Sequence, residues 1–412
     1  MKNRLLFGIP EKTSFITYLF LKIFLYLTTF NNLIDSMRFI RAFVFFPALL
    51  IGAYYFWSKA DRQAIPVKLD LNIQEIKGVG GNSGKGNVVG IQPYMFPDDY
   101  SSEAHFYIKM DAYLNEAKEN NLLNPKTVVL FPEHIGTWLV ACGEKQTVFK
   151  TKTMDDAMTH VVLSNLYEFL QVNTPDNIVD ETAYSIFRMK SSEMARIYHY
   201  VFSSLAQKYK VTIIAGSILL SEPYVVEGVI KSNEGQLYNT SVVYNPDGKA
   251  QQQVVKKVKP ILAEQCFTMG GNSAEIPVFE LPIGKTGILV CADSWYPENY
   301  RNFANQSLDF IAVPSFLTSD EALSSVWQGY NGSANPSDVD PNDFNQISEE
   351  EAWLKYALPG RIQSTGVSNG LNVFLRGKLW DMGSDGYTFI IKDGQLVKGK
   401  KAEGASIISL WL

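Results

Sequence analysis

Cysteine and histidine are scarce, with three and four respectively in 412 residues. Their scatter gives neither a zinc-ligand spacing nor a disulfide framework, and no cofactor is implied. Charge is thin as well: 19% of residues are charged and the formal net charge is -5. That balance gives no basic footprint for nucleic acid. The Gly-rich run G-V-G-G-N-S-G-K-G at 78–86 lacks the G-K-[ST] spacing of a phosphate loop and precedes a strand, so it reads as linker. Apolar residues are abundant, at 46%. They suffice for one large α/β domain with an N-terminal appendage.

The chemistry centres on Lys285 to Glu298, K-T-G-I-L-V-C-A-D-S-W-Y-P-E. Gly287 opens the run Ile288, Leu289, Val290, whose composition suits a strand buried on both faces. Cys291 ends it, and Pro297 with Glu298 suits the first turn of a following helix. A thiol at such a corner is held rigidly, and a helix N-terminus would lower its pKa. Burial as an inert core thiol is the competing reading. Two other segments favour chemistry. Thr127 to Pro132, T-V-V-L-F-P, is another apolar strand with Glu133 at its end, and V-V-K-K-V-K-P-I-L-A-E places Lys257 three residues before Pro260 and seven before Glu264. Carboxylate, ammonium and thiol form a complete set for acyl chemistry: a base, an oxyanion partner and a nucleophile.

In this order, the three segments resemble the nitrilase superfamily, the carbon-nitrogen hydrolases. Cys291 with Asp293, Tyr296, Pro297 and Glu298 is similar to the C-x-D-x-x-[FY]-P-E of its amidase branches, whereas the lysine segment is similar to the nitrilase K-x-x-P-T-x-x-E form with Ile261 in place of Thr. The resemblance implies an α/β fold, a nitrilase-like α-β-β-α sandwich, and catalysis by Glu133, Lys257 and Cys291. Glu264 and the backbone N–H of Ala292 would support them. The implied substrate is a small amide or nitrile, cleaved through a thioester. An acyltransferase that passes the acyl group to an amine, and a non-catalytic binding module, are the alternatives. A homodimer is compatible with the resemblance.

The N-terminus differs in character. Residues 14–34 are apolar but interrupted by Lys22, Asn31 and Asn32; residues 39–57 are more apolar, with Tyr54, Tyr55 and Trp57 at the far end. That second stretch is the better membrane span, since about 20 apolar residues cross a bilayer and aromatics favour its interface. Met37 gives an alternative start with the layout of a signal anchor. Lys2, Arg4, Lys12, Lys22, Arg38 and Arg41 before the span, against Lys59, Arg62 and Lys68 after it, place the catalytic domain outside the cytoplasm. The expected division is an anchor over 1–60, a flexible linker over 61–86 and a hydrolase domain over 87–412.

Within that domain the expected helices are 102–118, 154–170, 191–209 and 349–363. Two long segments, 142–189 and 317–350, are expected near the pocket mouth because each follows a catalytic residue. Asp293 is expected to cap the following helix. His134 is expected to point away from Glu133, as neighbours on a strand do. A Cys142–Cys266 disulfide is allowed but not deducible.

Overall fold

The computed structural model describes residues 36–412 apart from 64, 305 and 402, with the backbone alone for 36–44 and 304. The apolar stretch 14–34 therefore lies outside the described residues. The second stretch falls in helix α1 (Ser36–Lys59). No helix among the described residues is long and apolar enough to cross a membrane.

Two six-stranded sheets face each other. In the first, the order is Ile73–Val79, Ala405–Trp411, Asn87–Gln92, Thr127–Leu130, Thr212–Ile214, Val243–Tyr244. The second runs Val278–Leu281, Gly284–Ile288, Phe310–Ser315, Gly370–Phe374, Phe389–Lys392, Gln395–Lys398. The central strands are parallel in both, with Asn87 opposite Thr127 in one and Thr286 opposite Phe310 in the other. Such strands are apolar on both faces. Val88, Val128 and Leu130 pack inward against Ile288, Val290, Leu371 and Val373 of the second sheet. Their neighbours Val89, Val129 and Phe131 point outward, onto helices α2 (Glu103–Glu119) and α5 (Glu181–Tyr209). Leu289, Ile311 and Val313 do the same beneath α6 (Pro297–Ala304). Period-two alternation in two runs without polar residues thus yields four layers, helix, sheet, sheet, helix.

The second sheet lies close over Gly90, where an added Cβ would come within 2.7 Å of Leu371 and of Val373. Gly90→Ala must part the sheets or displace both side chains, so it should lower the unfolding free energy by about 1–3 kcal/mol. Denaturant titration of the variant, at unchanged slope, measures this.

Several boundaries differ from the sequence reading. The strand Ile73–Val79 pairs in parallel with Ala405–Trp411, so the sheet begins inside the expected linker. Residues just after α1 are fastened to the domain as well, through Gln146 N–H to Asp61 O at 2.9 Å and Lys145 Nζ to Ala60 O at 2.8 Å. The expected helix over 154–170 is two, α3 (Met154–Ser164) and α4 (Leu166–Leu170), broken at Asn165. The buried Asn165 amide donates to Val161 O and to Glu144, a use of its side chain that composition does not announce. Cys142 and Cys266 are both free thiols.

Candidate active site

Glu133 stands three residues past the strand Thr127–Leu130. Its corner is built by a break in the neighbouring chain: Gly216, at φ 67°, lies so close that a Cβ there would meet Pro132 O at 2.0 Å. Only glycine fits that approach. Ser217 then donates its N–H to Pro132 O at 3.2 Å and accepts the His134 N–H at 2.9 Å. The neighbouring segment is therefore two short strands, Thr212–Ile214 and Ile218–Ser221, with the turn between them holding the glutamate's backbone.

A three-stranded antiparallel sheet, Val255–Lys256, Leu237–Ser241, Ile218–Ser221, supplies the next groups. Lys257 N–H donates to Asn239 O at 2.8 Å, and its ammonium lies 2.8 Å from Glu133 Oε1 and 2.5 Å from Glu264 Oε2. Its two rivals are engaged elsewhere. Lys256 lies over the Tyr238 ring at 3.7 Å, and Lys259 pairs with Glu298 at 2.9 Å.

Asn239, on the strand Leu237–Ser241, ties the carboxylates together. Its Nδ2 donates to Glu133 Oε1 at 2.9 Å and to Glu264 Oε1 at 3.0 Å. Its Oδ1 is buried without a partner among the described residues. Glu264 also accepts from Ile261 N–H at 2.8 Å and from His134 Nε2 at 3.1 Å. Four donors on two oxygens use the acceptor capacity of a carboxylate. Glu264 thus positions Lys257 and is not free to activate water. His134 departs from its expected place because its backbone, at φ 58°, turns out of strand alternation and brings the ring back to the carboxylates.

Cys291 follows the strand Gly284–Ile288 at φ 49°, in the left-handed region that a non-glycine residue rarely occupies. Strain of this kind costs on the order of 1–3 kcal/mol and collects at functional sites. A short 3-10 turn, Cys291–Trp295, begins there, and Ala292 is its second residue. The first N–H groups of a helical turn have no partner within it. Asp293 is not a helix cap. Its carboxylate accepts Val258 N–H at 3.0 Å and Lys259 N–H at 2.7 Å, locking the lysine segment to the cysteine turn. Burial pushes the Asp293 pKa up to about 7 against the pull of those N–H groups.

The segment 317–350 folds over the thiol. Trp327 stacks on Trp295 at 5.9 Å, and Tyr330 packs edge-on to Tyr296 at 5.1 Å. Arg361 holds this segment through Asp338 at 2.6 Å.

Electrostatics follow from the dry setting. Burial alone would pull the Lys257 pKa down, yet the flanking Glu133 and Glu264 hold it well above its usual range. Burial would raise the Glu264 pKa, but Lys257 and His134 hold it low. The Cys291 thiol is pushed well up, first by burial and then by the charge of Glu133, with Lys257 pulling the other way. This reverses the lowering expected from a helix N-terminus: burial and the negative charge of Glu133 together outweigh the pull of Lys257. Glu133→Gln should therefore bring the thiol pKa down and Lys257→Met should raise it further, seen as opposite displacements of the pH profile for iodoacetamide alkylation of the Cys291 peptide. Displacements of the same sign would refute this pairing of charges.

Glu133, His134 and Glu264 also place one donor atom each within 4.8 Å of one another, a spacing a divalent ion could use. The Lys257 ammonium already supplies the positive charge between those two carboxylates.

Among curated relatives, a probable hydrolase of Bacillus subtilis is 28% identical over 154 residues, 37% of this chain and 26% of its own length. A nitrilase of Pyrococcus abyssi is 32% identical over 94 residues, 23% of this chain and 35% of its own length. A deaminated glutathione amidase of Synechocystis is 28% identical over 126 residues, 28% of this chain and 42% of its own length. The chain thus spans less than half the length of each. An amidase structure from Nesterenkonia sp. AN1 aligns over 81% of this chain and 93% of its own, at 15% identity and a TM-score of 0.49. The sequence model of the carbon-nitrogen hydrolase family matches residues 88–331. Since that match takes in all three motif-bearing segments and more than half of the chain, the chain belongs to the carbon-nitrogen hydrolase family.

Proposed function

We propose that the chain is a membrane-attached amidase-type hydrolase that cleaves a small non-peptide amide, or a nitrile, through a thioester on Cys291. The observation that carries this is the position of Glu133, 2.8 Å from the Lys257 ammonium and near enough to Cys291 for its charge to act on the thiol. In the first step Glu133 takes the thiol proton as sulfur attacks the carbonyl carbon, so a thiol of high resting pKa is deprotonated only as it reacts. Negative charge on the carbonyl oxygen is then held by Lys257 and the Ala292 N–H, each worth a few kcal/mol. Glu133 returns the proton to the leaving nitrogen, ammonia or an amine departs, and a thioester remains. Water, deprotonated by Glu133 alone because Glu264 is saturated, attacks the thioester and releases the acid. The unpartnered Asn239 Oδ1 is an acceptor for the amide N–H or that water.

The N-terminal segment attaches this domain to the membrane with the active site on the extracytoplasmic side. A second reading, transfer of the acyl group to an amine, draws support from one observation. Residues after α1 are bonded to the domain instead of forming a free linker, so the pocket need not swing away from the bilayer.

The full chain in detergent, given simple aliphatic amides, is expected to release stoichiometric ammonia and carboxylic acid. Transfer of an acyl chain from phospholipid to an amine, with no ammonia from any small amide, would replace hydrolysis by the second reading.

A further inference from the structure

We infer that α1 and α4 together form a lipid-facing surface locked to the active-site domain by a polar clamp, so that the domain sits on the bilayer in one orientation. This rests on the membrane attachment proposed above. The exposed part of α1 is apolar all round: Phe45, Leu49, Ile51 and Phe56 are 71%, 68%, 68% and 75% exposed. From 45 to 57, at 1.5 Å per residue, it reaches roughly 20 Å. An apolar surface of this kind marks an interaction site.

A bilayer is the occupant its layout fits. The apolar run ends in exposed Tyr55 and Trp57, and Lys145 lies over the Trp57 ring at 4.5 Å. Exposed Lys59 follows. Aromatics and then cations in that order match the headgroup layer and its anionic lipids. The chain before residue 36 carries a further apolar run, 14–34, which continues in the same direction along the sequence.

The clamp lies at that same C-terminal end of α1. Arg62 donates from Nη1 to Gly143 O at 3.3 Å and Glu144 at 3.2 Å, and from Nη2 to Ser164 O at 3.0 Å and Asn165 Oδ1 at 3.1 Å. The Tyr54 hydroxyl donates to Leu163 O at 3.1 Å and accepts Leu166 N–H at 3.0 Å. Tyr54 thus lies flush against the junction of α3 and α4. On α4, Tyr167 and Leu170 are 68% and 44% exposed, beside the aromatic end of α1. They would enter the headgroup region whenever α1 is inserted, provided the clamp holds. Glu144 lies eleven residues beyond Glu133, and the 3-10 turn between them, Thr137–Ala141, is buried throughout. The catalytic corner and the clamp are therefore parts of one rigid segment.

Hydrogen–deuterium exchange of the full chain, with and without vesicles of phosphatidylcholine and phosphatidylglycerol, tests this. Protection is expected both in 44–58 and in 166–170. Arg62→Ala should keep the first and lose the second, while Glu144 keeps Lys190 as its partner. A variant with Leu49→Glu, Ile51→Glu and Phe56→Glu should lose vesicle flotation about tenfold or more. Protection of 44–58 alone in the unaltered chain would show a tether without a clamp and overturn the inference while leaving membrane attachment standing. Absence of vesicle binding, with a dimer in light scattering that covers α1, would overturn both. Ammonia release from the same samples reports on the hydrolase reading independently.

Discussion

Cys291→Ala is expected to remove turnover and all covalent labelling of the protein by substrate while leaving the fold unchanged. Alanine keeps the Cβ, so the left-handed backbone at φ 49° is neither relieved nor worsened. The buried thiol's one hydrogen bond among the described residues is long, 3.9 Å to Phe316 O, so little bonding is lost. Loss of a nucleophile that acts as a unit with its base should cost at least about four decades in kcat. Steady-state assay beside a thermal melt checks both halves. An active, folded Cys291→Ala protein would remove the sulfur from the mechanism.

Lys257→Met should cost two or more decades in kcat as well, because the ammonium is aimed at charge that develops only in the transition state. It should also cost stability. Without Lys257, Glu133 and Glu264 are buried carboxylates deprived of their counter-ion, and breaking one side of a buried ion pair costs about 3–5 kcal/mol. The sign with pH follows from the same loss. Removing the cation takes away the charge that holds the Glu264 pKa low in the folded state, so the variant should regain stability as pH falls and lose it as pH rises. Adding Glu264→Gln should restore part of the stability and none of the activity, which separates the structural role of the ammonium from its chemical one. Restored turnover in that double variant would contradict the assignment of Lys257 to the oxyanion.

The groups that carry formal charge and end apolar runs were legible in the sequence. Glu133, Lys257 and Cys291 each stand beside a segment whose partners could be read from pattern, and the structure brings all three together. Asn239 was not legible, because a neutral amide in the run Y-N-T looks like any strand residue until two carboxylates converge on it. His134 and Asp293 were misplaced for a backbone reason. A positive φ at His134 and a 3-10 turn at Cys291 redirect side chains that alternation or helix capping would send elsewhere. The reading of 61–86 as a free linker failed because polarity and glycine do not reveal an edge strand. Ile73–Val79 is only half buried and takes its register from Ala405–Trp411, more than three hundred residues away.

Hydrolysis through Cys291 is tested most directly by mass spectrometry of the protein quenched in acid during turnover of a small amide. A mass increase equal to the acyl group is expected, located on the Cys291 peptide, labile to hydroxylamine as a thioester is, absent in Cys291→Ala and accumulating in a variant whose deacylation is slowed. Turnover with the unmodified mass at every time point in such a slowed variant, or an acyl group on any other residue, would contradict it.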